Sequence, residues 1–327
     1  PGAELAHKGF EDYMLEGPIA AMDAIEQATG ERELNTVGYC IGGTLLGCTL
    51  AWLAARGDDR VKSATFLNSL LDFSEVGDLE VFIDEDAIGK LEKAMNKQGY
   101  LNMLRANSLI WSFFVNNYLL GRDTAPFDLL YWNADATRMP AAMHSFYLRN
   151  MYLHNRLREP GGIELAGTPI DLGKIKVPGY FASAIEDHIA PWISSYRGSR
   201  YLGGPVRFVL GGSGHIAGII NPPDRKKYGY RVNEDSDLDP DAWLQGARQF
   251  EGSWWPDWVA WAEQFGGGKV KARAAGEGQL PVIEPAPGAY VRNQPAPPTP
   301  VVKKRRQPSR QKTAPRKRAP ARTKVTQ

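Results

Sequence analysis

Apolar residues recur at helical spacing through 3–29, and the run stops at Gly30, so a glycine-capped helix is predicted there. The stretch LNTVGY, 34–39, reads as a short buried strand. GGTLLGCTLAWLAAR, 42–56, reads as an apolar helix closed by Gly57, and VKSATFLNS, 61–69, as a second strand. Strand, helix and strand at these lengths make a βαβ unit. A parallel sheet in an α/β protein follows.

The alternation then breaks. Residues 72–165 are helical, aromatic and irregular, which predicts a helical cap subdomain inserted into the sheet domain. It returns with VPGYFASA (177–184, strand), PWISSYRGSRYL (191–202, helix) and PVRFVLGG (205–212, strand). One or two helices over 240–266 close the body. The expected organisation is a discontinuous core over 1–71 and 166–293, a cap over 72–165 and a tail over 294–327. The tail is rich in Lys, Arg, Pro and Ala, has almost nothing to bury, and is expected to be disordered.

Charge sharpens that division. Of 39 Lys and Arg, twelve fall in 285–327, where there is no Asp or Glu. The remaining 27 face all 37 acidic residues. An acidic body is thus joined to a basic tail, for which weak, salt-sensitive polyanion binding is expected. No aromatic interleaves the basic cluster, which disfavours single-strand stacking.

No apolar run approaches the ~20 residues of a membrane span. The first residues lack the basic and apolar regions of a signal peptide, and the chain does not begin with Met. Two cysteines, Cys40 and Cys48, supply no disulfide framework and favour a reducing cytoplasm. Eight residues apart along a turn and helix, they stand about 12 Å from each other, too far to bridge.

Candidate chemistry centres on Gly38-Tyr39-Cys40-Ile41-Gly42, a G-x-nucleophile-x-G pattern between strand and helix. A nucleophile on so tight a turn needs neighbours without side chains, hence Gly38, Gly42 and Gly43. The following helix N-terminus favours a thiolate, and the Ile41 amide is placed to meet an oxyanion. The plainer alternative is a small buried residue in a glycine-rich turn. Asp187 follows the strand 177–184 and His215 follows the strand 205–212. Nucleophile, acid and histidine, each after a strand, follow the order of the α/β hydrolases. Asp187 has a competing role as a helix cap near Pro191. His188, next to Asp187, is read as a structural group or a support behind the acid. Cys48, two turns into the helix, reads as packing. His7, His144 and His154 show no metal-ligand spacing, and no metal is expected.

The motifs GYCIGGTLLG, FLNSLLDFSEVGDLEVF, LLYWNADATRMPAAMHSFYLRNMYLHNRL, ASAIEDHIAPW, GGSGHIAGIINPP and GSWWPDWVAWAEQ together resemble the polyhydroxyalkanoate synthases. The resemblance runs from about residue 1 to 293, with a cap like that of class I members, which prefer short-chain monomers. It implies Cys40 as nucleophile, His215 as base and Asp187 as the acid of a triad. The implied reaction moves the acyl group of a 3-hydroxyacyl-CoA onto the thiol and then onto a growing polyester's hydroxyl. It needs no cofactor, CoA being part of the substrate. It further implies a homodimer formed through the cap and a cytoplasmic place at polyester granules. Against that family, the first sheet strands and the loop giving a second oxyanion donor are expected to be missing upstream of Cys40.

Trp111, Phe113, Phe114, Tyr131 and Trp132 read first as the cap's own core, with water exclusion over the site as the alternative role. Two other functions fit less of the sequence. One is a cysteine thioesterase or esterase of the same fold. The other is a non-catalytic granule-associated fragment, which has no need of all three triad residues.

Overall fold

The computed structural model describes residues 3–77, 80, 83–98, 139–235 and 237–292. The chain divides into two compact units, Pro1–Pro281 and Val282–Gln327. In the second, the described residues hold one helical turn and a quarter, Gly288–Arg292. The aromatics expected to line the cap, Trp111 to Trp132, and the basic tail 294–327 lie outside the described residues.

The first unit opens with helix α1 (Phe10–Met14), a π-helical stretch Leu15–Ile19 and helix α2 (Ala20–Thr29). Pro18 sits in the wide π turn, where its missing N–H breaks the ladder least. Gly30 ends α2 at φ 74°, a left-handed cap that a glycine adopts without strain. Strand β1 (Leu34–Tyr39), helix α3 (Ile41–Ala55) and strand β2 (Val61–Leu67) form the expected βαβ unit. Helices α4 (Glu85–Gln98) and α5 (Ala141–Tyr147), the latter running into a π-helical Leu148–Leu153, come from the region read as a cap. A two-stranded β3–β4 hairpin (Glu164–Leu165, Thr168–Pro169) precedes β5 (Gly179–Ala184), α6 (Trp192–Ser199), β6 (Val206–Gly211) and α7 (Ala217–Ile220).

The main sheet has the order β1-β2-β5-β6-β7-β8, where β7 is Tyr230–Val232 and β8 is Arg248–Phe250. The first four strands are parallel and the last two antiparallel. Strand β5 lies inside the sheet and is buried at all six positions, as its apolar run requires. Strand β1 departs from the fully buried strand expected of LNTVGY. It is the edge strand among the described residues, its burial alternates, and Val37 is 57% exposed. Strand β8 also corrects the sequence reading, since it interrupts the helices α8 (Pro240–Gly246) and α9 (Trp255–Ala262) expected over 240–266. A three-residue strand is too short to reveal a period of two.

Helix α3 has no solvent face to speak of, so its apolar sequence shows no stripe. Leu46, Cys48, Leu50, Ala51 and Leu53 are all buried in the main core. Burial pushes the Cys48 thiol up to about 12, so it stays neutral and serves as packing. On the sheet, Phe66 stacks on Phe181 with centroids 4.4 Å apart.

Two fastenings hold the elements that carry the site. Asn155 Nδ2 donates to Asp72 Oδ1 at 3.1 Å and its Oδ1 accepts Phe73 N at 2.9 Å, which ties residues 72–73 to 155. Helix α9 is pinned by its tryptophans. Trp254 Nε1 donates to Gly218 O at 3.0 Å, Trp255 Nε1 to Ile219 O at 2.9 Å and Trp258 Nε1 to Thr65 Oγ1 at 3.0 Å. The GSWWPDW segment therefore braces α7, directly behind His215. Among the described residues no helix is long and apolar enough to cross a membrane.

Candidate active site

Cys40 sits between β1 and α3 with φ 55° and ψ −127°. A non-glycine residue there is strained by about 1–3 kcal/mol, and such strain persists only where the surroundings impose it. They do so at several points. Cys40 N donates to Leu67 O at 2.9 Å, carrying the β1–β2 ladder past the strand end, and Gly43 N donates to Cys40 O at 2.9 Å. A Cβ on Gly38 would lie 2.6 Å from Gly43 Cα, and one on Gly43 would lie 1.9 Å from Ser69 Oγ. A Cβ on Gly42 would meet nothing within 4 Å. The need for a bare backbone expected at Gly42 thus falls on Gly43 and Gly38.

Helix α3 starts at Ile41, so its dipole and its first amide, that of Ile41, face the Cys40 turn. The region read as a cap contributes two phenols near the thiol, Tyr147 buried and Tyr152 half-buried. Burial above all, then Tyr152 and Cys40 for Tyr147 and Cys40 for Tyr152, push both phenols well above the usual range. Both stay neutral. Their rings meet edge to face with centroids 5.4 Å apart.

Asp187 lies past β5, its side chain fully buried. Its Oδ1 accepts the amides of Ile189 and Ala190, each at 2.9 Å, and its Oδ2 lies 2.6 Å from His215 Nδ1. The capping role weighed for Asp187 is not taken up: α6 begins at Trp192 behind Pro191 with no side-chain cap, and Asp187 Oδ1 instead closes the loop turn before it while Oδ2 pairs with His215. His215 lies past β6, its side chain 10% exposed. With Nδ1 committed to Asp187, the ring lies near enough to Cys40 for the thiol to act on its titration. Burial opposes its charge, yet the hydrogen bonds and charges of Asp187 and Cys40 outweigh it and raise the imidazole to about 9. His188 is exposed. Its carbonyl, not its ring, packs inward, where a Cβ on Gly77 would come within 2.9 Å.

Cys40, His215 and Asp187, widely spaced in sequence, are therefore brought together at one site, with His215 hydrogen-bonded to Asp187. Sequence reasoning missed Tyr39, Asn68, Tyr147 and Tyr152, which also surround it. The first two lie at the ends of strands next to the Cys40 turn, a position that marks them for a search. The tyrosines carry no such mark, because aromatic residues in a helical insertion read as core.

The raised His215 makes stability depend on pH. An unfolded histidine titrates near 6.5, so the folded chain keeps a proton the unfolded one loses. The stabilisation is complete below pH ~6.5 and drains as pH rises to about 9. It amounts to at most about 3 kcal/mol. Urea unfolding midpoints should fall across that window in the parent, and fall distinctly less in His215→Gln. Equal slopes in the two would show that His215 is not held charged.

Residues 6–222 match the family described as alpha/beta hydrolase fold. The chain is 54% identical over 301 residues to the poly(3-hydroxyalkanoate) polymerase subunit PhaC of Rhizobium meliloti (strain 1021), covering 89% of this chain and 49% of that protein. It is 52% identical over 295 residues to the poly(3-hydroxyalkanoate) polymerase of Methylorubrum extorquens, covering 87% and 49%. With the poly(3-hydroxyalkanoate) polymerase subunit PhaC of Cupriavidus necator (strain H16) it shares 41% over 307 residues, covering 89% and 52%. The chain spans about half the length of these curated relatives. The βαβ elbow, the mostly parallel sheet and the matched 6–222 agree, and the chain belongs to the alpha/beta hydrolase fold family.

Proposed function

We propose that this chain carries the acyl-transfer centre of an enzyme that polymerises (R)-3-hydroxyacyl-CoA, with 3-hydroxybutyryl-CoA as the first candidate, into a polyester and releases CoA. The observation that carries this reading is the meeting of Cys40, on its strained turn, with a His215 that is hydrogen-bonded to the buried Asp187. Its likeness to polymerases at 52–54% identity supports the choice of substrate.

In the proposed cycle His215 takes the thiol proton of Cys40, and the imidazolium is held by Asp187. The thiolate adds to the thioester carbonyl, whose oxyanion meets the Ile41 amide at the start of α3. Collapse expels CoA as a thiol, with the proton returned by His215. One thioester has replaced another, so the step is nearly balanced in energy. The 3-hydroxyl of a monomer or chain end then gives its proton to His215 and attacks the held acyl group, forming an ester. Asp187 has one oxygen on two backbone amides and one on His215. It therefore acts through His215 rather than on the hydroxyl itself.

The full-length protein given 3-hydroxybutyryl-CoA should release CoA and form polymer. Free hydroxy acid instead would make it a thioesterase, and neither product would leave it a binding role. Asp187→Asn should slow CoA release by about 10³–10⁴-fold, because the amide no longer holds the imidazolium in place. A loss under tenfold would remove Asp187 from the mechanism.

A further inference from the structure

The main-chain carbonyl of His215 is gripped by two side chains from the strands that carry the Cys40 turn. Asn68 Nδ2 donates to it at 2.7 Å and Tyr39 Oη at 2.9 Å. Tyr39 is the last residue of β1, immediately before Cys40, and its ring lies 5.2 Å from that of His215 at an interplanar angle of 37°. Asn68 directly follows β2, one residue past the Leu67 carbonyl that accepts Cys40 N. The loop of the base is thereby bonded to both strands that hold the nucleophile.

Asn68 bears costs that its packing does not explain. Its backbone is left-handed at φ 43°, its side chain is completely buried, and its Oδ1 has no hydrogen-bond partner. A buried, unpartnered amide oxygen is destabilising, and a leucine or alanine would avoid it. Asparagine tolerates positive φ better than most residues, so φ alone gives one reason for it. Glycine would meet that need without burying an orphan oxygen. What glycine lacks is the N–H aimed at His215. The loop it grips is itself strained next door, with Ser213 at φ 69°.

We infer that Asn68 and Tyr39 are positioning residues that clamp the His215 carbonyl and so set the imidazole between Asp187 and Cys40. The inference rests on the reading of His215 as the base that activates Cys40. Neither residue need touch substrate. Loss of the clamp therefore lowers kcat for CoA release and leaves KM nearly unchanged. Either donor alone still restrains the carbonyl, so the effects of removing both exceed the product of the single effects.

The test uses the full-length protein and the variants Tyr39→Phe, Asn68→Gly and their combination. Asn68→Gly keeps the left-handed backbone and removes the side chain that carries the donor. Three quantities are measured: kcat and KM for CoA release, the rate of Cys40 alkylation by iodoacetamide at one pH, and the His215 titration by NMR. Cys48 is buried and serves as an unreactive reference, and His215→Gln assigns the resonance. Each single variant should slow alkylation and kcat by roughly threefold, and the pair by roughly thirtyfold or more. His215 should titrate lower in the pair than in the parent. If the folded double variant matches the parent within twofold and titrates alike, the clamp does not position the base. If the double variant does not fold, the single variants decide by the same criteria. If alkylation of Cys40 in the parent is indifferent to His215→Gln, the base assignment itself fails, and the clamp fails with it.

Discussion

Cys40→Ala in the full-length protein is expected to cut CoA release from 3-hydroxybutyryl-CoA by about four orders of magnitude or more, with the fold intact. Removing a nucleophile from a triad costs nearly all its acceleration, because His215 and Asp187 have nothing left to activate. Alanine occupies the same strained turn at φ 55° with a smaller side chain, so unfolding should move little. Cys40→Ser should be almost as poor, since an alkoxide is far harder to generate than a thiolate. Cys40→Gly separates chemistry from strain. It should be as inactive as alanine yet more stable than the parent by about 1 kcal/mol, because glycine accepts this backbone freely. Residual activity in Cys40→Ala above a hundredth of the parent would remove Cys40 from the reaction.

The second large effect is structural. Gly43→Ala should destabilise the protein by about 3 kcal/mol or more in urea unfolding. Its Cβ would land 1.9 Å from Ser69 Oγ and 2.4 Å from Ser69 Cβ. Ser69 cannot swing aside easily, being buried with its hydroxyl donating to Leu67 O at 2.9 Å. Adding Ser69→Gly should restore much of the loss. Gly38→Ala should be as damaging and not so rescued, because its new methyl meets Gly43 Cα and Gly42 O, which are backbone. Gly42→Ala should be neutral or mildly stabilising, as open space surrounds it and alanine favours helix. Equal costs at 42 and 43 would contradict this packing of the turn.

The two effects show what was legible beforehand. The G-x-C-x-G turn named Cys40, and two later strands placed Asp187 and His215 in the loops behind them. Those are local signals: a strand, then a polar residue. The division of labour among the glycines was not legible, because it depends on Ser69, a residue from the next strand's end. Nor was the clamp. Asn68 and Tyr39 meet His215 only through the sheet order β1-β2-β5-β6, which brings 39, 68 and 215 together at one sheet end. The edge position of β1 was hidden for a similar reason. LNTVGY reads like a buried strand, but which side is covered depends on its neighbours, not on its own residues. Strands β7 and β8, three residues each, offer too little sequence for any period to emerge.

Asp187 is the instructive intermediate case. Its sequence context allowed either a helix cap or a partner for histidine, and the folded carboxylate is the second, with its other oxygen closing a loop turn ahead of the helix. The bonds from Ile189 and Ala190 fix one oxygen and so aim the other at His215. A local turn thus performs the orienting task that a longer-range contact would otherwise have to supply.

The central claim is that the thiol of Cys40 carries the acyl group. It is tested most directly by quenching the full-length protein in acid shortly after mixing with 3-hydroxybutyryl-CoA and locating the acyl label by peptide mass spectrometry. The account predicts a hydroxybutyryl group, or a short oligomer of it, on the peptide containing Cys40, released by hydroxylamine as a thioester is, and absent from Cys40→Ala. A label on any other residue, or CoA release at the parental rate with Cys40 unlabelled, would contradict it.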